Sequence, residues 1–193
     1  MKYFIVGLHS NGKHNVIDYL EKLGVKCGHI FSDLDSPSSK IYNSYNYELY
    51  TTKEVNEIFE NNAYMFLNTR NIDGKQFYEG LTRYEFDESD VFVLSPDQVL
   101  GMTFNNISDP ICFIWLDGTR EQRYNNYRNE KREYNFKERE ELETQDSGAF
   151  INTLYDNGKI LYFSNEIPER VGAIIYSLIQ HPDLLDVYIS SFN

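Results

Sequence analysis

The feature that most constrains this chain is a glycine-bracketed loop between a short apolar run and an amphipathic stretch. Lys2–Val6 predicts a buried strand, and Lys13–Leu23 carries apolar residues at helical spacing. The loop between them begins at Gly7 and ends at Gly12, which gives the pattern G-x-x-x-x-G-K. Glycines let the backbone curl so that several N–H groups point at one anion, and the start of the helix adds its positive dipole end. The pattern predicts a phosphate-binding loop; the alternative is a plain strand-to-helix turn.

The residue after the lysine departs from the usual form of this pattern. A Ser or Thr stands there in the Walker A motif, because its hydroxyl ligates Mg²⁺, but this chain has His14. Imidazole prefers softer metals than Mg²⁺. We therefore expect His14 to be a residue of the first helical turn, with Mg²⁺ held mainly through water and ATP. Asn15 is a candidate to reach the water shell of the metal.

Apolar runs along the rest of the chain predict a parallel sheet. Asp90–Ser95 and Ile111–Leu116 are near-continuous apolar runs, which are typical of strands covered on both faces. Val25–Phe31 and Lys159–Phe163 predict two more core strands. With the first strand, they predict an α/β fold of one domain, in which a five-stranded parallel core sheet lies between two layers of helices.

A polar segment, residues 33–88, interrupts this alternation after the second strand. It contains two capping boxes, Thr51-x-x-Glu54 and Thr82-x-x-Glu85. It also contains a predicted hairpin made of Ala63–Thr69, a turn and Gln76–Tyr78. We therefore predict a small β-rich lobe inserted into the core fold.

The charge distribution favours a small anionic ligand over nucleic acid. The chain has 18 Lys and Arg against 30 Asp and Glu, a net charge of −12, and a nucleic-acid-coating protein needs a basic face. Residues 120–132 oppose this balance with five basic and two acidic residues, namely Arg120, Arg123, Arg128, Lys131 and Arg132 against Glu121 and Glu130. The cluster predicts cations for a phosphate; the alternative is a solvated helix with salt bridges to Glu138–Glu143.

The remaining sequence signals concern compartment and assembly. Cys27 and Cys112 lie in apolar runs, which predicts buried free thiols, a reducing compartment and therefore the cytoplasm. The sequence has no apolar run of ~18 residues and no basic-then-apolar leader, so no membrane association is expected. The apolar tail His181–Asn193 predicts either packing on the core or a dimer contact, which leaves monomer and homodimer open.

Six patches of this sequence resemble the guanylate kinase-like branch of the nucleoside monophosphate kinases, a family of P-loop kinases. Five of them, with the family segments they resemble, are Asn46–Val55 ("HYFFVS-x-x-EF"), Ala63–Asn68 (a strand ending in "FLE"), Phe77–Arg83 ("NYYGTSR"), Asp90–Asp97 ("VDVFLDID") and Phe163–Glu166 ("VND"). The sixth is Phe113–Leu116 followed by Arg120, Arg123 and Arg128, which is similar to the family's strand and arginine helix leading into the lid. The order of elements resembles the family over nearly the whole chain. The resemblance is to a divergent member, of the phage type that acts on (deoxy)nucleoside monophosphates.

The resemblance implies a division of the chain and a reaction. The core is residues 1–32, 89–122 and 150–193, the acceptor-binding lobe is 33–88, and a helical lid is 123–149. The implied reaction is ATP-dependent phosphoryl transfer to a (deoxy)nucleoside monophosphate with Mg²⁺, and the implied partners are small nucleotides.

The resemblance also implies roles for individual residues. The implied catalytic residues are Lys13, Arg123, Arg128, Arg139 and Asp97. The implied ATP-phosphate contacts are Gly7, Ser10, Asn11, Gly12, Lys13, His14 and Asn15, with Asn165 near the adenine. The implied acceptor contacts are Lys40, Tyr47, Asn68, Tyr78, Arg83 and Ser95. Asp97 would orient hydrated Mg²⁺ through water; the alternative is a helix N-cap after Pro96.

Three departures from the family pattern leave the acceptor open. The family has two arginines for the acceptor phosphate near residues 33–41, where this chain offers only Lys40 as a cation. The guanine-reading glutamate of the family falls on Asn68, and its base-reading serine and tyrosine fall on Leu81 and Glu79. Two alternatives to a nucleoside monophosphate kinase therefore remain: a kinase of a sugar phosphate, and a catalytically silent guanylate kinase-like binding module.

Overall fold

The computed structural model describes residues 1–33, 47–72, 75–129, 135–145, 147–164 and 167–192. The strands in chain order are β1 (Lys2–Val6), β2 (Cys27–Gly28), β3 (Ile30–Asp33), β4 (Tyr47–Tyr50), β5 (Tyr64–Ile72), β6 (Lys75–Thr82), β7 (Val91–Leu94), β8 (Ile111–Asp117) and β9 (Lys159–Ser164). The α-helices are α1 (Lys13–Lys22), α2 (Thr52–Glu60), α3 (Arg83–Glu88), α4 (Pro96–Gly101), α5 (Arg120–Asn129), α6 (Phe136–Thr144), α7 (Ser147–Asn157), α8 (Pro168–Gln180) and α9 (Leu185–Phe192). Two 3₁₀ turns lie at Phe104–Asn106 and Pro182–Leu184.

The core of the molecule is a five-stranded sheet in the order β2–β7–β1–β8–β9, in which every pair of strands is parallel. Its central strand β1 is buried along its whole length, because a parallel sheet is covered by helices on both faces. The predicted α/β fold with a five-stranded parallel core sheet is confirmed.

The two faces of this sheet carry separate hydrophobic clusters, because side chains alternate along each strand. Tyr3 and Ile5 of β1 lie in one cluster, which α1 and α8 cover with Val16, Ile17, Leu20, Val171, Ile175 and Leu178. Phe4 and Val6 lie in the other cluster, which α4 and α7 cover with Val99, Phe150 and Leu154. Burying one such side chain stabilises a fold by roughly 1.5–3 kcal/mol. Together the two clusters hold the sheet and its covering helices in fixed relative positions.

The strand predicted over Val25–Phe31 is wrong, because the structure divides it between two sheets. Gly28 ends β2 against the ring of Phe92, and a Cβ at this position would lie 2.2 Å from that ring. At the next residue, the backbone N–H of His29 donates to Glu85 Oε1 at 2.9 Å instead of joining a strand. The chain then enters β3, which belongs to the second sheet.

The second sheet forms the inserted lobe and has the order β4–β3–β6–β5. Only β3 and β4 are parallel in it; β6 is antiparallel to both β3 and β5. The capping box at Thr51 and Glu54 is confirmed and begins α2. The second predicted box is half formed: Thr82 Oγ1 accepts from Glu85 N–H at 3.1 Å, while the Glu85 carboxylate bonds the His29 amide instead.

The single tryptophan of the chain, Trp115 of β8, packs against the hydrophobic cluster that α4 and α7 cover. Its ring lies edge-on at 5.6 Å from the ring of Phe150 in α7 and at 5.7 Å from that of Tyr162 in β9. The Tyr162 hydroxyl donates to Asp117 Oδ2 at 2.6 Å. These contacts join the carboxyl end of β8 to its neighbouring strand and to α7.

Two smaller predictions are also borne out. Cys27 and Cys112 are free and buried, and burial raises the pKa of each thiol to about 12. The tail packs on the core, with Leu185, Tyr188 and Ile189 in the cluster under α1 and α8. Within the described ranges, none of the helices is long and apolar enough to cross a membrane.

Candidate active site

The glycine-bracketed loop joins β1 to α1 at the carboxyl edge of the core sheet. Gly7 and Gly12 have positive φ angles of 151° and 88°, and Ser10 has a φ of 55°. A Cβ at Gly7 would lie 2.1 Å from Asn11 Nδ2 and 2.4 Å from Leu116 O. The first glycine is therefore required by the close approach of the loop to its own Asn11 and to β8.

The ammonium group of Lys13 lies inside the curl of this loop. Its Nζ donates to the carbonyl oxygens of Gly7 at 2.6 Å and Leu8 at 2.7 Å, and to Asn11 Oδ1 at 3.2 Å. Only 6% of the lysine is exposed. A buried ammonium with three oxygen acceptors is held in a defined position, and its three N–H donors are all directed to the loop itself.

Two side-chain amides attach the loop to the rest of the core. Asn11 Nδ2 donates to Leu116 O of β8 at 2.7 Å, and Asn126 Nδ2 of α5 donates to Ser10 O at 2.9 Å. His14 and Asn15 lie in the first turn of α1, as the sequence predicts. The role of Asn126 was not predicted, because its partner lies more than a hundred residues away in the sequence.

The helix α6 places a carboxylate directly on the loop. Glu143 Oε2 accepts a hydrogen bond from the backbone N–H of His9 at 2.8 Å and lies 2.8 Å from His9 Nδ1. Its other oxygen, Oε1, accepts from Arg139 Nε at 2.8 Å. Burial on its own raises the pKa of Glu143, but the hydrogen bond from His9 and the charges of Arg139 and Lys13 outweigh it and lower that pKa to about 2. The loop therefore already binds an oxyanion, supplied by the protein itself.

The arginines of α5 are tied to the same helix. Glu140 of α6 accepts from Arg120 Nε at 2.7 Å and from Arg123 Nη2 at 2.5 Å, as the alternative prediction of salt bridges to the acidic stretch has it. Arg123 is buried, with its guanidinium 5.6 Å from the ring of Phe136. Its Nε and Nη1 atoms are buried without a hydrogen-bond acceptor among the residues that the structure describes. Such atoms cost roughly 1–3 kcal/mol each, so Arg123 has capacity for a further acceptor.

Arg123 also lies close to the loop, whereas Arg128 is exposed. A Cβ at Gly118 would lie 3.7 Å from Arg123 Cγ and 3.9 Å from Asn11 Cβ. Arg128, in the last turn of α5, is exposed. The structure thus brings Arg123 and the loop together, while the predicted role of Arg128 stays a prediction.

Asp97 lies in the first turn of α4, directly after β7. The alternative prediction of an N-cap at Asp97 is wrong, because Ser95 is the N-cap of this helix. Ser95 Oγ donates to Asp97 Oδ1 at 2.5 Å, and Arg139 Nη2 lies 3.5 Å from the same oxygen. Asp97 is therefore held between its own helix and α6.

The side chain of Asp97 fits a hydrated magnesium ion better than a fully coordinated one. Within the described ranges, no three His, Cys, Asp or Glu side chains gather into a group that would hold a metal ion. Mg²⁺ keeps several waters and uses one or two carboxylates plus phosphate oxygens in nucleotide sites. A single half-exposed carboxylate near the loop is consistent with that form of binding.

The predicted acceptor residues of the lobe are not all brought together. Asn68 of β5 pairs directly with Glu79 of β6, whereas Tyr78 pairs with Thr69, so Asn68 and Tyr78 face opposite sides of the sheet. The Asn68 amide lies against α4, since a Cβ at Gly101 would be 2.7 Å from Asn68 Oδ1. Asn68 therefore lies on the face of the lobe that meets α4.

Arg83 lies elsewhere in the lobe. It begins α3, where its Nε donates to Asn62 O at 3.2 Å and its Nη1 contacts Met65 Sδ at 3.8 Å. The helix α3 leads to the amino end of β7, whereas the loop lies beyond the carboxyl ends of the core strands. The structure does not bring Arg83 together with the loop.

For three of the predicted ligand contacts, two with the acceptor and one with the adenine, the structure gives no side-chain position. Tyr47 is the first residue of β4, where it pairs with Ile30. Lys40 and Asn165 lie outside the described residues. Their roles stay predictions.

The sequence analysis missed a buried polar row on the face of the lobe that meets α4. Ser32, Glu79 and Asn68 are neighbours across β3, β6 and β5, and Ser32 and Glu79 are each only 2% exposed. Gln98 of α4 is also buried; its Nε2 donates to Glu79 Oε1 at 3.4 Å, and its Oε1 accepts from Ser95 N–H at 2.9 Å. A signal was present in β6, where a glutamate alternates with two apolar residues that face inward, Phe77 and Leu81.

No protein-family model matches this chain, and no curated protein matches it in sequence. Among solved structures, guanylate kinase from Anaplasma phagocytophilum is similar at 12% sequence identity, with 93% of this chain and 84% of that chain covered and a TM-score of 0.49. A sugar kinase from Janibacter sp. HTCC2649 has 16% identity, coverage of 93% and 95%, and a TM-score of 0.43. Shikimate kinase from Acinetobacter baumannii, solved with shikimate, has 13% identity, coverage of 95% and 94%, and a TM-score of 0.44.

Proposed function

We propose that this protein transfers a phosphoryl group from ATP to a small acceptor, and that the acceptor is a (deoxy)nucleoside monophosphate. The observation that carries the proposal is the loop at the carboxyl edge of the core sheet. It combines a buried ammonium group, a helix start and a backbone N–H of His9 that already donates to a carboxylate. Such a loop is suited to a polyphosphate, because its N–H groups and the helix dipole both favour negative charge.

Phosphoryl transfer requires mainly that two nucleotides are held in line and that the developing charge is neutralised. In the proposed reaction, Lys13 and the loop amides hold the ATP phosphates, with contributions from Ser10, Asn11, Gly12, His14 and Asn15 around the first turn of α1. Bound Mg²⁺ would supply further positive charge at the phosphates. Asp97 would orient its water shell, and Asn165 would contact the adenine.

The lid supplies the cations for the transferring group in this proposal. Arg123 supports it, because two of its buried N–H atoms lack an acceptor in the described part of the chain. Arg139 joins Asp97 and Glu143, so it bridges the proposed metal side and the loop. Arg128 is proposed to join them when the lid closes and excludes water.

The acceptor is proposed to lie along the polar row of Ser32, Glu79 and Asn68, beside Ser95. A carboxylate accepts hydrogen bonds, and an asparagine amide both donates and accepts. Such a row suits the polar edge of a nucleobase, which presents donors and acceptors in one plane. Lys40 and Tyr47 complete the proposed acceptor set, whereas Tyr78 on the opposite face of the lobe sheet and Arg83 at the start of α3 lie away from this row.

An ADP-release assay across all nucleoside and deoxynucleoside monophosphates, with sugar phosphates in parallel, tests the proposal. We expect turnover with at least one nucleoside monophosphate, and its loss in Lys13→Ala. Lys22→Ala, at the exposed end of the same helix, is the matched control and should keep full activity. If only sugar phosphates are turned over, the proposed phosphoryl transfer stands, but the acceptor is a sugar phosphate and not a nucleoside monophosphate.

The lid contacts also favour a second candidate, a catalytically silent binding module. Arg123 and Arg139 are each paired with a glutamate of α6, and Glu143 lies on the loop. Thermal unfolding with ATP and Mg²⁺ separates the two. A ligand at a hundred times its Kd stabilises a protein by about 2.7 kcal/mol, so a kinase should show a rise in Tm that Lys13→Ala abolishes. A silent module that does not bind nucleotide would show no rise in either protein.

A further inference from the structure

Glu143 makes a contact with the loop that resembles the binding of a phosphate oxygen. Its Oε2 atom accepts from the His9 backbone N–H at 2.8 Å, and its side chain is only 2% exposed. The carboxylate is thus an anion on a main-chain donor of the same loop that holds the Lys13 ammonium. A phosphate oxygen bound there would use the same N–H group.

Burying this charge is tolerated because several groups around the carboxylate compensate it. An isolated buried carboxylate is strongly unfavourable, and it requires hydrogen bonds and a counter-charge. Glu143 has both: the amide and imidazole of His9 contact Oε2, and Arg139 Nε donates to Oε1 at 2.8 Å. The contact is therefore well formed rather than incidental.

The rest of α6 is anchored over the loop by two further contacts. The ring of Phe136 lies edge-on at 4.6 Å from the ring of His9. Glu140 bridges Arg120 and Arg123 of α5, and α5 in turn contacts Ser10 through Asn126. The helix that carries Glu143 is held in a position in which the loop is covered.

We propose that Glu143 is an internal competitor of the nucleotide: its carboxylate occupies the anion site at the His9 amide, and ATP binds only after α6 withdraws it. This inference rests on the proposed nucleotide site. Arg139 lies on the same helix, four residues before Glu143, and stays its partner. The movement of α6 therefore shifts both side chains together and uncovers the His9 amide of the loop.

This arrangement has a measurable consequence for affinity. The apparent Kd of a ligand is the intrinsic Kd divided by the fraction of protein in the binding-competent state. If the withdrawn state is a minor population in the free protein, weakening the Glu143 contact raises that fraction. Nucleotide affinity should then increase without any new contact to the nucleotide.

Calorimetric titration with ADP and ATP, each with Mg²⁺, tests the inference on wild type, Glu143→Gln and Glu141→Gln. Glu141 is the matched control, because it lies on the same helix, carries the same charge and is exposed with Lys137 as its partner. We expect Glu143→Gln to bind about tenfold more tightly and Glu141→Gln to bind as wild type does. Unchanged or weaker binding by Glu143→Gln, with normal binding by wild type, would overturn the inference and leave the proposed function standing.

The proposed function fails in a different way. If neither wild type nor Glu143→Gln binds nucleotide, or if Lys13→Ala binds as well as wild type, the nucleotide site itself is absent and the inference is overturned with it. Glu143→Asp is a second variant, which keeps the charge but shortens the reach to His9. It should also bind more tightly, and its unfolding midpoint shows whether the fold is retained.

A measurement on the unaltered protein covers the case in which the variants do not fold. In a nuclear magnetic resonance titration with ADP and Mg²⁺, the backbone amide signals of residues 135–145 should move with the same Kd as those of the loop. Loop signals that move while those of α6 stay in place would mean that nucleotide binds with Glu143 on the loop, which contradicts the inference.

Discussion

The proposed phosphate side and the proposed acceptor side of the candidate site are assembled in different ways. The phosphate side is a continuous stretch from Gly7 to Lys13, in which the lysine bonds carbonyl groups five and six residues before it. The acceptor side is a row of single residues, Ser32, Asn68 and Glu79, from three strands, closed by a residue of α4. We therefore expect a substitution in the loop to abolish most of the activity, and a substitution of one residue in the row to remove only part of it.

The largest expected effect is therefore a loss at one residue of the loop. Lys13→Ala removes the buried ammonium, so we expect turnover to fall by about a thousandfold, which corresponds to about 4 kcal/mol. Asn68→Ala, on the acceptor side, should lower turnover far less and leave ATP binding unchanged. Steady-state kinetics with ATP and acceptor varied in turn makes the comparison. Equal losses in the two variants would mean that the two sides do not differ in this way.

The second effect concerns the backbone of the loop. Gly7→Ala introduces a Cβ that would lie 2.1 Å from Asn11 Nδ2 and 2.4 Å from Leu116 O, so we expect a loss of about 3 kcal/mol in the free energy of unfolding. Gly148→Ala is the control, since nothing lies within 4 Å of a Cβ there. In its helical setting, that change should be neutral or stabilise by about 0.5–1 kcal/mol. Urea unfolding of both variants measures the difference.

The third effect concerns the contact that joins the lid to the loop. The pKa of Glu143 is lowered from 4.5 to about 2 in the folded protein, so its ionised form stabilises the fold above pH 4.5. That contribution, about 3 kcal/mol, is lost as the pH falls toward 2. The free energy of unfolding should therefore decrease between pH 5 and 2, more steeply in wild type than in Glu143→Gln. If the free energy of unfolding falls with pH equally in the two proteins, ionised Glu143 does not stabilise the fold in this way.

The smallest effect is expected on the acceptor side. Glu79→Gln keeps the shape of a buried side chain and removes its charge, so we expect the KM of the acceptor to rise about tenfold, as for the loss of one charged hydrogen bond. The KM of ATP should stay constant. Glu57→Gln, on an exposed face of α2, is the control and should change neither constant. If Glu79→Gln also changes the KM of ATP, the proposed acceptor side and phosphate side are not independent, which contradicts the comparison made above.

The same difference explains how much of the site the sequence predicts. The loop, the strands β7 and β8 and the capping box at Thr51 follow from neighbouring residues, so pattern and spacing were enough to predict them. Glu143 and His9 lie 134 residues apart, and Glu79 and Gln98 lie on separate elements. No local pattern encodes such pairs, because only the folded arrangement of the elements brings them together.

The division of one predicted strand has a similar cause. Val25–Phe31 is apolar enough for a continuous strand, and Gly28 within it is a local signal of a bend that does not by itself tell one sheet from two. The break depends on Glu85, which takes the His29 amide, and on Phe92, which occupies the space beside Gly28. In contrast, the pairing of Arg120 and Arg123 with Glu140 was one of the two stated alternatives, since a charge run next to an acidic run predicts it.

The position of Trp115 gives this protein an intrinsic optical probe of its own site. It is the only tryptophan in the chain, and the next residue, Leu116, supplies the carbonyl that Asn11 of the loop holds at 2.7 Å. Its indole ring contacts Phe150 of α7, the helix that follows α6 in sequence. A change at the loop or in α7 therefore alters the surroundings of a single fluorophore, so emission at equilibrium and in stopped flow should follow ligand arrival without any added label.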